Sequence, residues 1–375
     1  MRLRIKENMM PIYRADNVGS FLRPQEWKDG RANPNTRPEQ LKEIEDKHIL
    51  RVLQRQKDLG FKIFTDGELR RGGFMSDFID AVEGFDMGDA VARTWKGSTG
   101  ATGSNPVAGI VTSKVKQKKR LTKHEVDFLK QHSPGDIKMT LPTANQFPAI
   151  AYKKGISDKV YATYSEFLWD IAPIFKAEIQ ALSNEGVKYI QIDAPRYSYY
   201  IDPKWRQYVK DEMGVDPDKA LDEAIKVDNF CLESAKRDGI VLAIHLCRGN
   251  NRSQWYAEGG YDPIAEKLFT QLNVDTFLLE YESDRSGTFE PLRFVPKGKV
   301  VVLGLVSSKE AAVEPQDKLI QRIQEASRHV PLENLSLSPQ CGFASTMEGN
   351  LLSEDEQWRK LQLVVDTARK VWKDA

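Results

Sequence analysis

From residue 61 onward the chain alternates short β-branched or aliphatic runs with long amphipathic stretches, and this rhythm restricts its fold more than any other feature. It is the signature of βα units around a parallel sheet. Strands are expected at 61–65, 137–141, 187–192, 240–244, 274–279, 299–305 and 335–338, with an ill-defined first strand near Pro11 to Val18. Helices are expected at 38–59, closed by Gly60, and at 157–184, 218–238, 263–272, 316–328 and 355–372. Thr122, with Glu125 three residues on, is expected to cap a short helix reaching His132. Eight strands in one continuous cycle predict an α/β fold, a closed TIM (β/α)8 barrel forming a single catalytic domain over residues 1–375. A doubly wound sheet in two domains would need a boundary loop that residues 150–375 do not offer. The Gly-, Thr- and Ser-rich stretch within 84–120 predicts an excursion on the loop side, with a hairpin inside Val107–Val115.

Basic and acidic side chains number 55 and 54, so the overall field neither concentrates nor repels polyanions. The one basic run, Lys114–Arg120, has no interleaved aromatic residue to stack a base, and no nucleic-acid partner is expected. No stretch approaches the roughly 20 apolar residues of a spanning helix, and the amino terminus lacks a signal-peptide core, so no membrane partner is expected and cytoplasm is the expected location. Homo-oligomer formation is left open. Three cysteines, Cys231, Cys247 and Cys341, cannot close a disulfide framework and lie too far apart for a zinc-finger spacing. Any metal site has to be assembled by the fold.

The ends of the predicted strands carry the chemistry. Period two sends His245 and Cys247 to one face, where an imidazole and a thiol can chelate one ion. Cys341 follows the last strand and borders the same barrel mouth, whereas Cys231 lies on an apolar helical face and reads as core. Zinc suits such a mixed nitrogen and sulfur set. Glu280 and Glu282, beyond the strand at 274–279, can each supply an acidic ligand. A coordinated substrate thiol would lose its proton near neutral pH, so activation of sulfur is the chemistry this set favours. At the same end, Asp193 and Glu68 can hold an ammonium group, and Ser20 with the backbone around Gly19 can receive a carboxylate. Arg70, Arg71, Arg248, Arg252 and Arg285 can hold an anionic tail or pair with neighbouring acids.

The ordered motifs Asp16-Asn17-Val18-Gly19-Ser20-Phe21-Leu22, Asp66-Gly67-Glu68, Gln191-Ile192-Asp193, His245-Leu246-Cys247 and Pro339-Gln340-Cys341-Gly342 resemble the catalytic half of cobalamin-independent methionine synthases, in particular a short stand-alone branch. The resemblance implies a TIM barrel that binds zinc through His245, Cys247, Glu280 and Cys341, with Glu282 as second choice for the acidic ligand. It implies that Gly19, Ser20, Glu68 and Asp193 bind homocysteine, and that a methylated folate or other alkyl donor methylates the thiol. A related group, the epoxyalkane:coenzyme M transferases, uses the same barrel to alkylate another small thiol and is the alternative. The sequence departs from the family at Asp193-Ala194-Pro195, at Gln340, and after the strand at 299–305, where Ser307-Ser308 replaces a histidine-bearing segment. The family's tryptophan-bearing segment has no match; Met139–Phe147 occupies its place.

Overall fold

The aliphatic runs are buried along nearly their whole length, which a strand tolerates when both faces of its sheet are covered. In the computed structural model, which describes residues 10–97 and 102–375, they form strands β1 (Ile63–Phe64), β4 (Asp136–Pro142), β5 (Tyr189–Asp193), β6 (Val241–Leu246), β7 (Thr276–Glu280), β8 (Val300–Val306) and β9 (Leu335–Pro339). Strands β2 (Val82–Lys96) and β3 (Thr102–Gln117) stand apart as an antiparallel pair. The seven remaining strands are parallel and neighbour one another in chain order, β1-β4-β5-β6-β7-β8-β9. The segment near Ala15 joins the far edge by a parallel bridge to Leu337, where the Asp16 N–H donates to the Leu337 carbonyl at 2.9 Å.

Side chains from all around this ring meet in the interior. Tyr13, Ile63, Tyr189, Val241, Leu278 and Val300 share one buried cluster, so the sheet curls until its two edges face each other. Above that layer Lys138 donates to Asp16 at 2.8 Å, and the Tyr189 hydroxyl donates to the other Asp16 oxygen at 3.0 Å. The functional side chains lie above this ion pair, at the carboxyl ends of the strands. Among the described residues no helix is long and apolar enough to cross a membrane.

The helices behind the sheet include Pro38–Leu59, Tyr164–Asn184, Pro217–Leu232, Ala265–Gln271, Gln316–Ala326 and Glu354–Val371. Gly60 ends the first in a left-handed conformation that glycine adopts without a Cβ penalty.

Several expectations need correction. Val107–Val115 is not itself a hairpin but part of β3, whose partner β2 precedes it. Residues 1–9 and 98–101 lie outside the described residues. Thr122 precedes helix Lys123–His132 without capping it: its hydroxyl donates to Glu178 at 2.8 Å, and Glu125 pairs with Arg71 instead. The helix expected to reach 238 stops at Leu232, and helices Gln25–Ala32 and Pro203–Asp211 were not anticipated. Strand β1 is only two residues long because Gln56 takes the backbone of Thr65, accepting from its N–H at 3.1 Å and donating to its carbonyl at 2.8 Å.

Candidate metal centre

Alternation along the strands determines which residues meet at the mouth. On β6, Val241, Ala243 and His245 share a face, and the register sets His245 beside Asp193 of β5. Cys247 follows His245 by two residues, and Cys341 follows the end of β9 by two. An imidazole nitrogen of His245 and the sulfurs of Cys247 and Cys341 all lie within 4.8 Å of one another, and all three residues are buried. Neither ring nitrogen of His245 meets an oxygen or nitrogen partner among the described residues; the polar group beside the ring is the Cys341 sulfur. A buried imidazole so weakly satisfied is costly, and a cation between it and two thiols removes that cost. Two sulfurs and one nitrogen are the donor set that zinc favours, so the residues fit the ion.

The thiols are unequal. The Cys247 thiol beside it, then the His245 ring, pull Cys341 well below the usual thiol range against the effect of burial. Cys247 is pushed the other way, first by Cys341 and then by burial. One thiol of the pair is therefore the readier to lose its proton.

Glu280 and Glu282 are not in this group of three. Glu280 is fully buried; one oxygen accepts the Arg248 N–H at 2.7 Å, and the other accepts Gln340 Nε2 at 3.2 Å and Arg285. Burial opposes its charge, but Arg285, Lys309 and Arg248 hold its carboxyl below the ordinary carboxylate range. Glu282 also pairs with Arg285, and burial followed by the Glu280 charge pushes it up to about 7. Glu280 thus lies between the residues that follow Cys247 and precede Cys341.

A cavity of about 720 Å³ opens over the three donors, and Ser20, Glu68 and Asp193 line it as well. Glu68 is held in the left-handed region at φ 57°, and Thr140 donates to its Oε1 at 2.9 Å. Its Oε2 is buried without a hydrogen-bond partner among the described residues. Gly19 does not line the cavity but lets the backbone pass close by, since a Cβ there would sit 2.8 Å from Glu68 Oε1. Gln191 donates to Asp193 at 2.7 Å, yet burial dominates and pushes this carboxyl up to about 7, ahead of the opposing pull from His245. Ser20 is fastened to the Cys341 loop: its carbonyl accepts the Phe343 N–H at 2.8 Å, and its hydroxyl accepts the Ala344 N–H at 3.4 Å.

Most of the arginines do structural work. Arg70 pairs with Glu45 and Asp46, Arg71 with Glu125, and Arg285 with Glu280 and Glu282. Arg248 donates to the Gly259 carbonyl and stacks 4.0 Å from the centre of the Tyr261 ring. Arg252 alone of these reaches the cavity wall. Cys231 is buried in its helix, as expected from its apolar face.

Sequence reasoning missed Gln146, Asn250, Trp95 and Tyr256 on the wall. It also missed Lys309, behind the Cys247 loop. Trp95 arrives from β2, whose last residue Lys96 bridges Trp255, and no local pattern announces that contact. Asn250, three residues after Cys247, was within reach of a reading that treated the whole loop as part of the centre.

The model of the cobalamin-independent synthase catalytic domain matches residues 15–370. YxjG, an uncharacterized protein of Bacillus subtilis, is 38% identical over 97% of this chain and 96% of its own length. The methionine synthase of Saccharolobus solfataricus is 25% identical over 96% of each chain. A solved Listeria monocytogenes structure assigned as a vitamin-B12-independent methionine synthase aligns with a TM-score of 0.70 and 29% identity, covering 97% of this chain and 99% of that one. With a match that runs through every strand of the barrel and all three clustered donors, the chain belongs to the cobalamin-independent methionine synthase family, in its catalytic domain.

Proposed function

We propose that this protein is a zinc-dependent S-methyltransferase that makes methionine from homocysteine and a methylated folate or related alkyl donor. The observation that carries this reading is the opening of His245, Cys247 and Cys341 onto the cavity that also displays Ser20, Glu68 and Asp193. Zinc held there supplies the positive charge that keeps a substrate sulfur anionic and nucleophilic near neutral pH. Glu280, tied to the neighbours of both cysteines, is the acidic residue proposed to complete the ligand set.

The remaining work falls to the chain. The unpartnered Glu68 Oε2 and the Asp193 carboxylate accept hydrogen bonds from the amino acid's ammonium group. Ser20 receives its carboxylate, on a turn that Gly19 lets pass close to Glu68. Held by the ammonium and the carboxylate on its α-carbon, the substrate is left with its side chain directed toward the two cysteines, which removes most of the orientational cost of reaction. Met75, Ile79, Met87 and Trp95 make the other wall apolar, leaving a dry space for the alkyl donor. The three free cysteines support a reducing, cytoplasmic setting.

Alkyl transfer to a different small thiol, such as coenzyme M, draws support from Arg252, which lines the cavity with no ion pair among the described residues. Glu68 and Asp193 count against it, because two carboxylates repel a sulfonate. Zinc-loaded protein incubated with homocysteine plus methylfolate, or with coenzyme M plus a short epoxide, and followed by mass spectrometry, separates the two. Methionine is the expected product. Alkylated coenzyme M with no methionine would overturn the reading.

A further inference from the structure

The loop after β8 contributes no donor to the three-residue centre, yet it holds the two loops that do. Lys309 is 6% exposed, three residues beyond the strand. Its Nζ donates to the Gly249 carbonyl at 3.0 Å and to Asn250 Oδ1 at 3.0 Å. The amide so fixed points its Nδ2 across the mouth, donating to the Gly342 carbonyl at 2.8 Å and to Ser345 Oγ at 3.0 Å. Gly249 and Asn250 follow Cys247, and Gly342 follows Cys341. The relay Lys309–Asn250–Gly342 therefore spans the gap between the two cysteine loops without using either sulfur.

A second tie runs parallel to it. Asn350 donates to the Ser308 carbonyl at 2.7 Å and accepts the Ser253 N–H at 2.9 Å, while its own N–H donates to the Phe343 carbonyl at 2.9 Å. The loops after β6, β8 and β9 are thus bonded to each other by side-chain amides and one ammonium. Buried ammonium groups are costly unless fully engaged, and the Lys309 ammonium gives both of these hydrogen bonds to the Cys247 loop. That spends a buried charge on the geometry of a loop.

We propose that Lys309 and Asn250 are positioning residues that hold the Cys247 and Cys341 loops at ligand spacing before a metal ion arrives, so that metal affinity is set in part by a loop that supplies no ligand. This rests on the metal-centre reading above. A preformed site avoids ordering two loops at the moment of binding, and partners that fix metal ligands typically govern affinity by 10- to 100-fold.

The test is competition for zinc between a chromophoric chelator and metal-free protein, with the melting temperature of the metal-free form read alongside. Lys309→Met and Asn250→Ala are each expected to weaken zinc binding by about 10- to 100-fold. Because both act through one relay, the double variant is expected to lose little more than the weaker single one. The exposed Lys318→Met, the control, is expected to bind as the natural chain does. Zinc bound equally tightly by the natural chain, Lys309→Met and Asn250→Ala would overturn the relay and leave the metal centre standing. Failure of the natural chain itself to bind zinc would overturn the centre, and the relay with it.

Discussion

Cys247 and Cys341 are brought together only by the curling of the sheet, and both sulfurs face the same imidazole. Replacing either with serine substitutes a hard, protonated oxygen for a thiolate donor. Cys247→Ser and Cys341→Ser are each expected to lose the bound zinc, measured as metal content after dialysis; stoichiometric zinc in both variants would exclude them as ligands. On the substrate side, Asp193→Asn keeps the shape and removes the charge. It is expected to weaken homocysteine binding by about 1–3 kcal/mol, the scale of a hydrogen bond to a charged group, with zinc content unchanged. Titration calorimetry on the zinc-loaded protein reads that difference. At this scale the sequence was most legible where the rule is local. The shared face of His245 and Cys247 follows from period two alone, and Cys341 follows from its place just past a strand. Arg70, Arg71 and Arg248 were not legible, because their acceptors, including the Gly259 carbonyl, come from other turns of the chain, whereas Arg285 pairs with its near neighbours Glu280 and Glu282 as the sequence allowed.

Single elements carry the loops to the site, and their tolerances are testable. Gly249 has φ 96°, and a Cβ there would overlap the Tyr256 ring and sit 3.1 Å from the Trp95 ring. Its N–H also donates to Cys247 Sγ at 3.4 Å. Gly249→Ala is expected to cost about 1–3 kcal/mol in backbone strain alone and to weaken zinc binding as the loop shifts. Thermal melting and metal competition measured together would reveal both effects. Behind the mouth, helix Pro217–Leu232 holds Asp228 against Tyr197, whose hydroxyl donates to it at 2.7 Å. Burial pushes this carboxyl up to about 7, above its ordinary unfolded value of about 3.9. The folded state therefore retains a proton that the unfolded chain releases, and the associated stability is present below about pH 4 and lost as pH rises through about 7. Asp228→Asn removes that titration. Between about pH 5 and about pH 8 it is expected to lose less stability than the natural chain in urea unfolding; equal losses would show that Asp228 is ionised in the fold. Seven of the expected strand positions hold because buried β-branched runs have few alternatives, whereas the segment near Pro11 to Val18 pairs with the sheet only through the bridge at Ala15. Helix ends and the β2–β3 pairing were less legible, since Thr122 bonds to Glu178 rather than to its own helix and β2 is defined by an antiparallel partner later in the chain.

For the molecule as a whole, the barrel turns the ends of seven parallel strands, with the segment bridged at Ala15, into one surface. Its interior passes from an apolar layer through the Lys138–Asp16 pair to the donors at the mouth, so the charged chemistry is confined to one end. The excursion at β2–β3 then supplies Trp95 to the cavity wall, which the barrel alone would leave open. That global convergence was legible in outline, because a continuous cycle of strands has a common mouth. The content of the cavity wall was not, since it depends on how the excursion folds back. On the proposed function, this mouth binds zinc in order to present a substrate sulfur. X-ray absorption at the zinc edge, recorded with and without homocysteine, is the decisive measurement. Added homocysteine is expected to contribute one further sulfur neighbour to the ion beyond those of Cys247 and Cys341. A spectrum unchanged by saturating homocysteine would contradict it.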